Sequence, residues 1–407
     1  MPSFSELIAT WNPAPSPHLV EVDVEDDSLR DGLQGAFVRK PSVEQKISLL
    51  RLSAAVGCHA AMIAFPASSQ EEFDACTRMV RAIDEEKLGI VPRCLARALP
   101  KDVASIAEIN ANAECDVWAD FFVGTSPLRG HIENWNLPDI LGRIDATAKA
   151  LVQAKTHFGI SIEDATRTPP DRYAEVFRTA VLAGAEIVTV CDTVGEATPA
   201  GAKRLVEFSL EVADKAGVKP RIWWHGHNDR GLATANALAA AEAGAHVISG
   251  AFGGIGERTG NTALEQAVMF LHQAGSKRFR VDKIVEYCTR LAELTETPIP
   301  ENAPLIGRQA FATSTGTHSA AVLKARALGI EFEDYVFSAI PASALGRGQD
   351  ILIGPTSGLA NARYMLAQLG LPSTEENAAS LLAYAKTQDK WLMPDGIRAS
   401  FKGGDRK

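Results

Sequence analysis

Asp27-Ser28-Leu29-Arg30-Asp31-Gly32-Leu33-Gln34 follows the first β-rich run of the chain, and its reading decides the fold. Eight such runs, at 19–24, 60–65, 89–97, 116–123, 157–163, 186–192, 221–227 and 245–252, alternate with longer segments of helical periodicity. This alternation predicts parallel strands joined by crossover helices, in an open doubly wound sheet or a closed barrel. An open sheet usually carries a glycine-rich phosphate loop after its first strand. Here that place holds charged side chains and a single glycine, so the expected fold is an α/β (β/α)8 TIM barrel. Seven of the eight runs lead into loops rich in polar residues or glycine, where barrel enzymes assemble their sites.

Beyond residue 276 the alternation stops. Segments 282–295 and 358–370 read as helices, with Gly- and Pro-bearing stretches around 298–318 and 339–357. The expected organisation is therefore a catalytic barrel over 1–280 and a mostly helical C-terminal subdomain over 281–407. A chain of 407 residues, 46% hydrophobic, suffices for a barrel plus an appendage.

With 41 basic against 50 acidic side chains the net charge is −9, which disfavours nucleic acid and anionic lipid as partners. The six cysteines contain no C-x-x-C pair, so neither a disulfide framework nor a zinc knot is expected, and a reducing cytoplasm fits. No run reaches the ~18 uncharged apolar residues that a membrane span needs, and the N-terminus has no export signal. The chain reads as soluble and cytoplasmic.

His225-Gly226-His227-Asn228-Asp229 ends the seventh run. Period two puts both imidazoles on one face of a strand, where they can share an ion. An isolated H-x-H is equally compatible with packed interior histidines. Asp31, after the first run, adds a hard oxygen; an Asp-Gly turn is its plain alternative. Two imidazoles and a carboxylate suit a catalytic divalent ion with open positions, and Arg30 beside them can stabilise a developing oxyanion. Gly253-Gly254-Ile255-Gly256-Glu257-Arg258-Thr259-Gly260-Asn261 fails as a dinucleotide fingerprint, because Thr259 takes the third glycine position. Gly124-Thr125-Ser126, Ser161-Ile162-Glu163-Asp164 and Cys191-Asp192-Thr193 add polar groups at three more strand ends. So many polar ends exceed what helix capping requires and predict a pocket for a polyoxygenated anion.

In this order, Arg30-Asp31-Gly32-x-Gln34, Glu163-Asp164-Ala165-Thr166-Arg167, Asp192-Thr193-Val194-Gly195, His225-Gly226-His227-Asn228-Asp229 and Gly254-x-Gly256-Glu257-Arg258-Thr259-Gly260-Asn261 resemble one superfamily. It is the DRE-TIM metallolyases, in particular their synthase branch of 2-isopropylmalate, homocitrate and citramalate synthases. The resemblance spans roughly residues 20–275. It implies condensation of acetyl-CoA with a 2-oxo acid and hydrolysis of the thioester, at a divalent ion such as Zn, Mn, Mg or Co. Metal ligation falls to Asp31, His225 and His227, with Asn261 near the ion in some members. Arg30 is implied as the catalytic arginine and Glu163 as the group that orients it. Thr193 is implied to bind the oxo-acid carboxylate, and Gln34 and Glu257 to lie beside the substrate.

In the appendage, Thr315-Gly316-Thr317-His318-Ser319 resembles the synthases' Gly-Ile-His segment, whose histidine helps form the acetyl-CoA enolate, and Tyr335 resembles a tyrosine acting with it. Both reach into the partner's barrel in that family, so a homodimer with exchanged C-terminal segments is expected.

Several residues depart from the pattern. Leu33 stands where the synthases usually have Glu, which is more lyase-like. Met62-Ile63-Ala64-Phe65-Pro66 replaces their Glu-x-Gly-Phe-Pro, exchanging another acid for an apolar group. Arg129 stands one residue from where homocitrate synthases place an arginine for the far carboxylate. A lyase of the 3-hydroxy-3-methylglutaryl-CoA type is the alternative, weakened because Ile255 follows Gly253-Gly254 where that branch has Cys. A catalytically silent barrel with a structural ion is a third reading, disfavoured by Arg30. The chain ends at 407, so a leucine-sensing domain and its feedback control are not expected. Leu33 and Met62 point to an apolar substrate tail, Arg129 to an anionic one.

Overall fold

A computed structural model describes residues 4–402. All eight expected strands form: β1 (Asp23–Asp26), β2 (Ala60–Ala64), β3 (Val91–Arg97), β4 (Trp118–Gly124), β5 (Phe158–Glu163), β6 (Ile187–Asp192), β7 (Arg221–Gly226) and β8 (Val247–Gly250). They pair in parallel in chain order, and Val24 opposite Ile248 closes β1 onto β8, so the barrel is complete. β1 starts later than the sequence pattern suggests. Pro17 opens a 3-10 turn, Pro17–Glu21, with Ser16 Oγ accepting from His18 N at 3.3 Å, and this uses up the first residues of the run.

The crossover helices follow local signals. Helix Val43–Val56 starts with a reciprocal cap, Gln45 N donating to Ser42 Oγ (3.3 Å) and Ser42 N to Gln45 Oε1 (2.9 Å). It ends at Gly57, whose φ of 101° and close approach to the Arg278 carbonyl exclude a Cβ. Ile47, Leu49, Leu50 and Val56 are the face it buries. Each such side chain contributes about 1.5–3 kcal/mol by burial.

Period two orders the barrel interior into layers. Ala60, Ile187, Trp223 and Val247, with Val91 and Trp118 against them, fill the end where the strands begin. Two residues further along five of those strands stand Arg93, Asp120, Thr189, His225 and Ser249, so the interior turns polar one layer up. Arg93 is held there by Glu25 Oε1 (2.7 Å) and by Asp120, with its guanidinium 4.0 Å from the Trp223 ring centre. Ser161 Oγ donates to the other Asp120 oxygen at 2.8 Å. Above this layer the cavity opens.

The barrel unit extends over Ala14–Pro298, past the expected limit at 280. Helix Ile284–Thr295 belongs to it because Tyr287 donates to Asp26 and lays its ring 4.1 Å from that of Phe252. The described residues before 14 and after 298 form a second compact unit. Among its elements are helices Gly316–Leu328, Leu359–Gln368 and Glu375–Ala385, and Ile353, Leu366, Leu381 and Ile397 lie in its core.

Helix Leu264–Gln273 buries Glu265, whose Oε2 accepts from Gly253 N at 2.8 Å. Burial pushes this carboxyl from 4.5 up to about 7. Between those values the folded chain holds a proton that the unfolded chain releases, so stability is full at the acidic end and falls as pH rises. The loss reaches about 3 kcal/mol by pH 7 and then levels off. Glu265→Gln retains a carbonyl for Gly253 and should remove this contribution. Urea midpoints from pH 5 to 8 should fall more in the wild type than in the variant; parallel curves would refute the assignment.

Candidate active site

A cavity of about 490 Å³ opens at the C-terminal ends of the strands, where six β-α loops bring polar groups together. The loop after β1 is a tight turn. Asp27 O accepts from Arg30 N (3.3 Å) and Gly32 N (3.0 Å), and Asp31 N donates to Asp27 Oδ1 at 3.1 Å. The turn brings Asp31 back over the barrel mouth. There Asp31 Oδ2 accepts from Arg30 Nη1 (2.7 Å) and Oδ1 from Asn261 Nδ2 (2.8 Å). Gly256, at φ 149°, passes so close to Asn261 and Asp31 that a Cβ there would fall 2.2 Å from Asn261 Nδ2, which explains a glycine in that loop.

His225 is the last residue but one of β7 and His227 follows the strand, with ring centres 5.2 Å apart at 79°. Their Nε2 atoms lie 4.0 and 3.8 Å from Asp31 Oδ2. One ligand atom from each of Asp31, His225 and His227 falls within 4.8 Å of the others, and all three residues are buried. A small contraction would bring them to metal-ligand separations, which argues for a shared ion.

The donors also have the right charge state. Burial, with the neighbouring His227, pushes His225 down to about 3, leaving a neutral imidazole with a free lone pair. His227 is likewise lowered, chiefly by burial. Burial acts to raise the Asp31 carboxyl, but Arg30, the two histidines and the Asn261 amide together outweigh it and hold Asp31 well below the usual range. Among the described residues, His227 Nδ1 and Asn261 Oδ1 are buried without a hydrogen-bond partner. Two neutral nitrogens, a carboxylate and an orphaned amide oxygen fit a divalent cation.

The other expected residues divide into two groups. Gln34, Arg129, Glu163, Thr193 and Glu257 line the same cavity as Arg30 and the three candidate ligands. Thr193 Oγ1 accepts from Asp164 N at 2.8 Å, which leaves its proton for a substrate oxygen. Glu163 is not the group that holds Arg30. Its carboxylate lies 3.4 Å from Arg129 Nε, whereas Arg30 is clamped by Asp27 and Asp31. Burial raises the Glu163 carboxyl. His318 and Tyr335 belong to the second unit, where His318 stacks on Phe337 (4.2 Å) and Tyr335 packs 5.4 Å from Phe4.

Asp27 was passed over by the motif reading. It is fully buried, pairs with Arg30, and its Oδ2 lies 3.7 Å from His225 Nδ1. Its signal was present: it shares the inward parity of Glu25 and stands three residues before Arg30. Cys191 also reaches the cavity, but burial pushes its thiol up to about 12, so it is neither a nucleophile nor a ligand.

The HMGL-like family profile matches residues 21–297. A probable 2-isopropylmalate synthase of Methanopyrus kandleri is 34% identical over 375 residues, 90% of this chain and 69% of the relative. Homocitrate synthase AksA of the same organism is 34% identical over 370 residues, covering 90% and 87%. Among solved structures, hydroxymethylglutaryl-CoA lyase from Pseudomonas aeruginosa superposes with a TM-score of 0.57 at 22% identity, over 68% of this chain and 94% of that one. At that identity the likeness is one of fold.

The site predicts an ion bound without any substrate. Equilibrium dialysis against Zn, Mn or Co should load the wild type, and His227→Ala should weaken binding at least about a hundredfold with the fold retained by circular dichroism. Unchanged loading of that variant would exclude the site.

Proposed function

This chain belongs to the HMGL-like family, on the side of its 2-isopropylmalate and homocitrate synthases, and from that premise we propose that it is a metal-dependent acyltransferase. It joins acetyl-CoA to a 2-oxo acid and hydrolyses the thioester. The observation that carries this reading is the convergence of Asp31, His225 and His227 beside a clamped Arg30 in one cavity.

When bound by Asp31, His225 and His227, with Asn261 beside it, a divalent ion supplies Lewis acidity for the ketone and carboxylate oxygens of the oxo acid. The remaining work falls to the side chains. Thr193 Oγ1 donates to the substrate carboxylate, with Gln34 and Glu257 beside it. His318, assisted by Tyr335, takes a proton from the acetyl methyl group, and the resulting carbanion forms a bond to the ketone carbon. Arg30 faces the oxygen that gains negative charge, and its fork is already oriented by Asp27 and Asp31. That oxygen takes up a proton and becomes the hydroxyl. Water then cleaves the thioester, releasing CoA as a free thiol.

A homodimer in which His318 and Tyr335 of one copy serve the other copy's barrel is part of the reading, as is a cytoplasmic location. No described helix is long and apolar enough to cross a membrane. Leu33, which suggested the lyase alternative, is buried and absent from the cavity lining, which favours the synthase reading.

Free thiol should appear only with metal, acetyl-CoA and an oxo acid together, and a chelator should abolish it. No thiol with any oxo acid would overturn the proposal. Arg30→Lys keeps the charge but loses the fork, and should lower kcat by about 10²–10³. Co-expressed Arg30→Ala and His318→Ala copies, each inactive alone, should recover on the order of a quarter of wild-type turnover if sites are shared between copies. No recovery would refute the exchanged arrangement.

A further inference from the structure

The two sides of the cavity differ in chemistry. Asp31, His225 and His227 converge from β7 and the loop after β1, while the wall from β2 to β4 presents Met62, Phe65, Leu95 and Phe122. Met62, unlike Leu33, faces the cavity. Above the Arg93–Asp120 pair, this wall therefore offers a substrate tail two phenyl rings and two aliphatic side chains.

The charges point the same way. Five arginines reach the cavity, and each is paired with a carboxylate at 3.4 Å or less. Arg129, the one expected to receive a second substrate carboxylate, lies between Glu133 and Glu163, at 3.4 Å from each. Arg129 already shares its charge between two carboxylates, which weakens it as a receiver for a third, and stripping a substrate carboxylate of water against four apolar side chains is unfavourable.

We propose that this cavity selects 2-oxo monocarboxylic acids with a bulky apolar tail, from branched aliphatic to a single aromatic ring, and rejects 2-oxo dicarboxylates. The proposal rests on the condensation reading above. Hydrophobic pockets distinguish tails differing by one or a few carbons by about tenfold or more, which sets the scale of the test.

The metal-loaded enzyme is assayed for thiol release, and for oxo-acid binding by calorimetry without acetyl-CoA. The probes are pyruvate, 3-methyl-2-oxobutanoate, phenylpyruvate and 2-oxoglutarate. The two bulky apolar acids should exceed pyruvate by about tenfold or more in kcat/KM and in affinity, with 2-oxoglutarate weakest. Phe122→Ala should narrow the gap between phenylpyruvate and pyruvate about tenfold. If that variant does not fold, the wild-type panel decides alone. Preference for 2-oxoglutarate or pyruvate would overturn the selectivity and leave condensation standing. The expected binding order without thiol release would sink condensation and leave the selectivity. No binding of any acid would end both.

Discussion

Arg93 carries a charge at the centre of a closed barrel, and the structure above it depends on how that charge is met. An unpaired guanidinium there would cost several kcal/mol in lost hydration. It is met from two sides, by Glu25 on β1 and Asp120 on β4, and from below by the Trp223 ring. Those contacts tie β1, β3, β4 and β7 together at one height. Because side chains alternate along a strand, fixing Glu25 also fixes the direction of Asp27, and fixing the Trp223 layer fixes that of His225. The candidate ligands thus stand on a rigid ionic layer, and their spacing is set from beneath.

Above that layer the same electrostatic logic acts in reverse. Arg30 is buried between Asp27 and Asp31, and with the two histidines and Asn261 it keeps the Asp31 carboxylate ionised where burial alone would protonate it. The histidines are driven neutral by burial in the same place. An anionic oxygen beside two neutral nitrogens is what a divalent ion requires, and Arg30 is held beside them by Asp27 and Asp31. Asp27 therefore matters as much to the site's order as the motif residues, although it ligates nothing in the triad.

The barrel was legible in the sequence because all but one of its strands announce themselves twice, as a β-rich run and as a polar or glycine-rich end. The candidate ligands were legible because His225 and His227 are two apart and Asp31 lies in a turn at another strand's end. What escaped were relations between strands. Nothing in Glu25, Arg93 or Asp120 read singly says that they meet, since their pairing depends on the closed register. The partner of Glu163 was misassigned for the same reason: the motif supplied a role, but the nearest cation is Arg129, on helix Pro127–Glu133 after β4. The start of β1 was misjudged locally, where Pro17 favours a turn over an extended strand.

Leu33 and Met62 illustrate how far a substitution can be read without coordinates. Both replace an acid in the family pattern, and in sequence they carry equal weight. In the fold they separate: Leu33 follows the turn that delivers Asp31 and is buried away from the cavity, whereas Met62 points inward from β2. The first change therefore acts on the packing of the loop and the second on what the cavity can hold. Met62 also lies on a different strand from every candidate ligand, on β2 beside β1. A barrel that takes its ion from β7 and the loop after β1, and its tail wall from β2 to β4, can alter the wall without disturbing the charge balance that keeps Asp31 ionised.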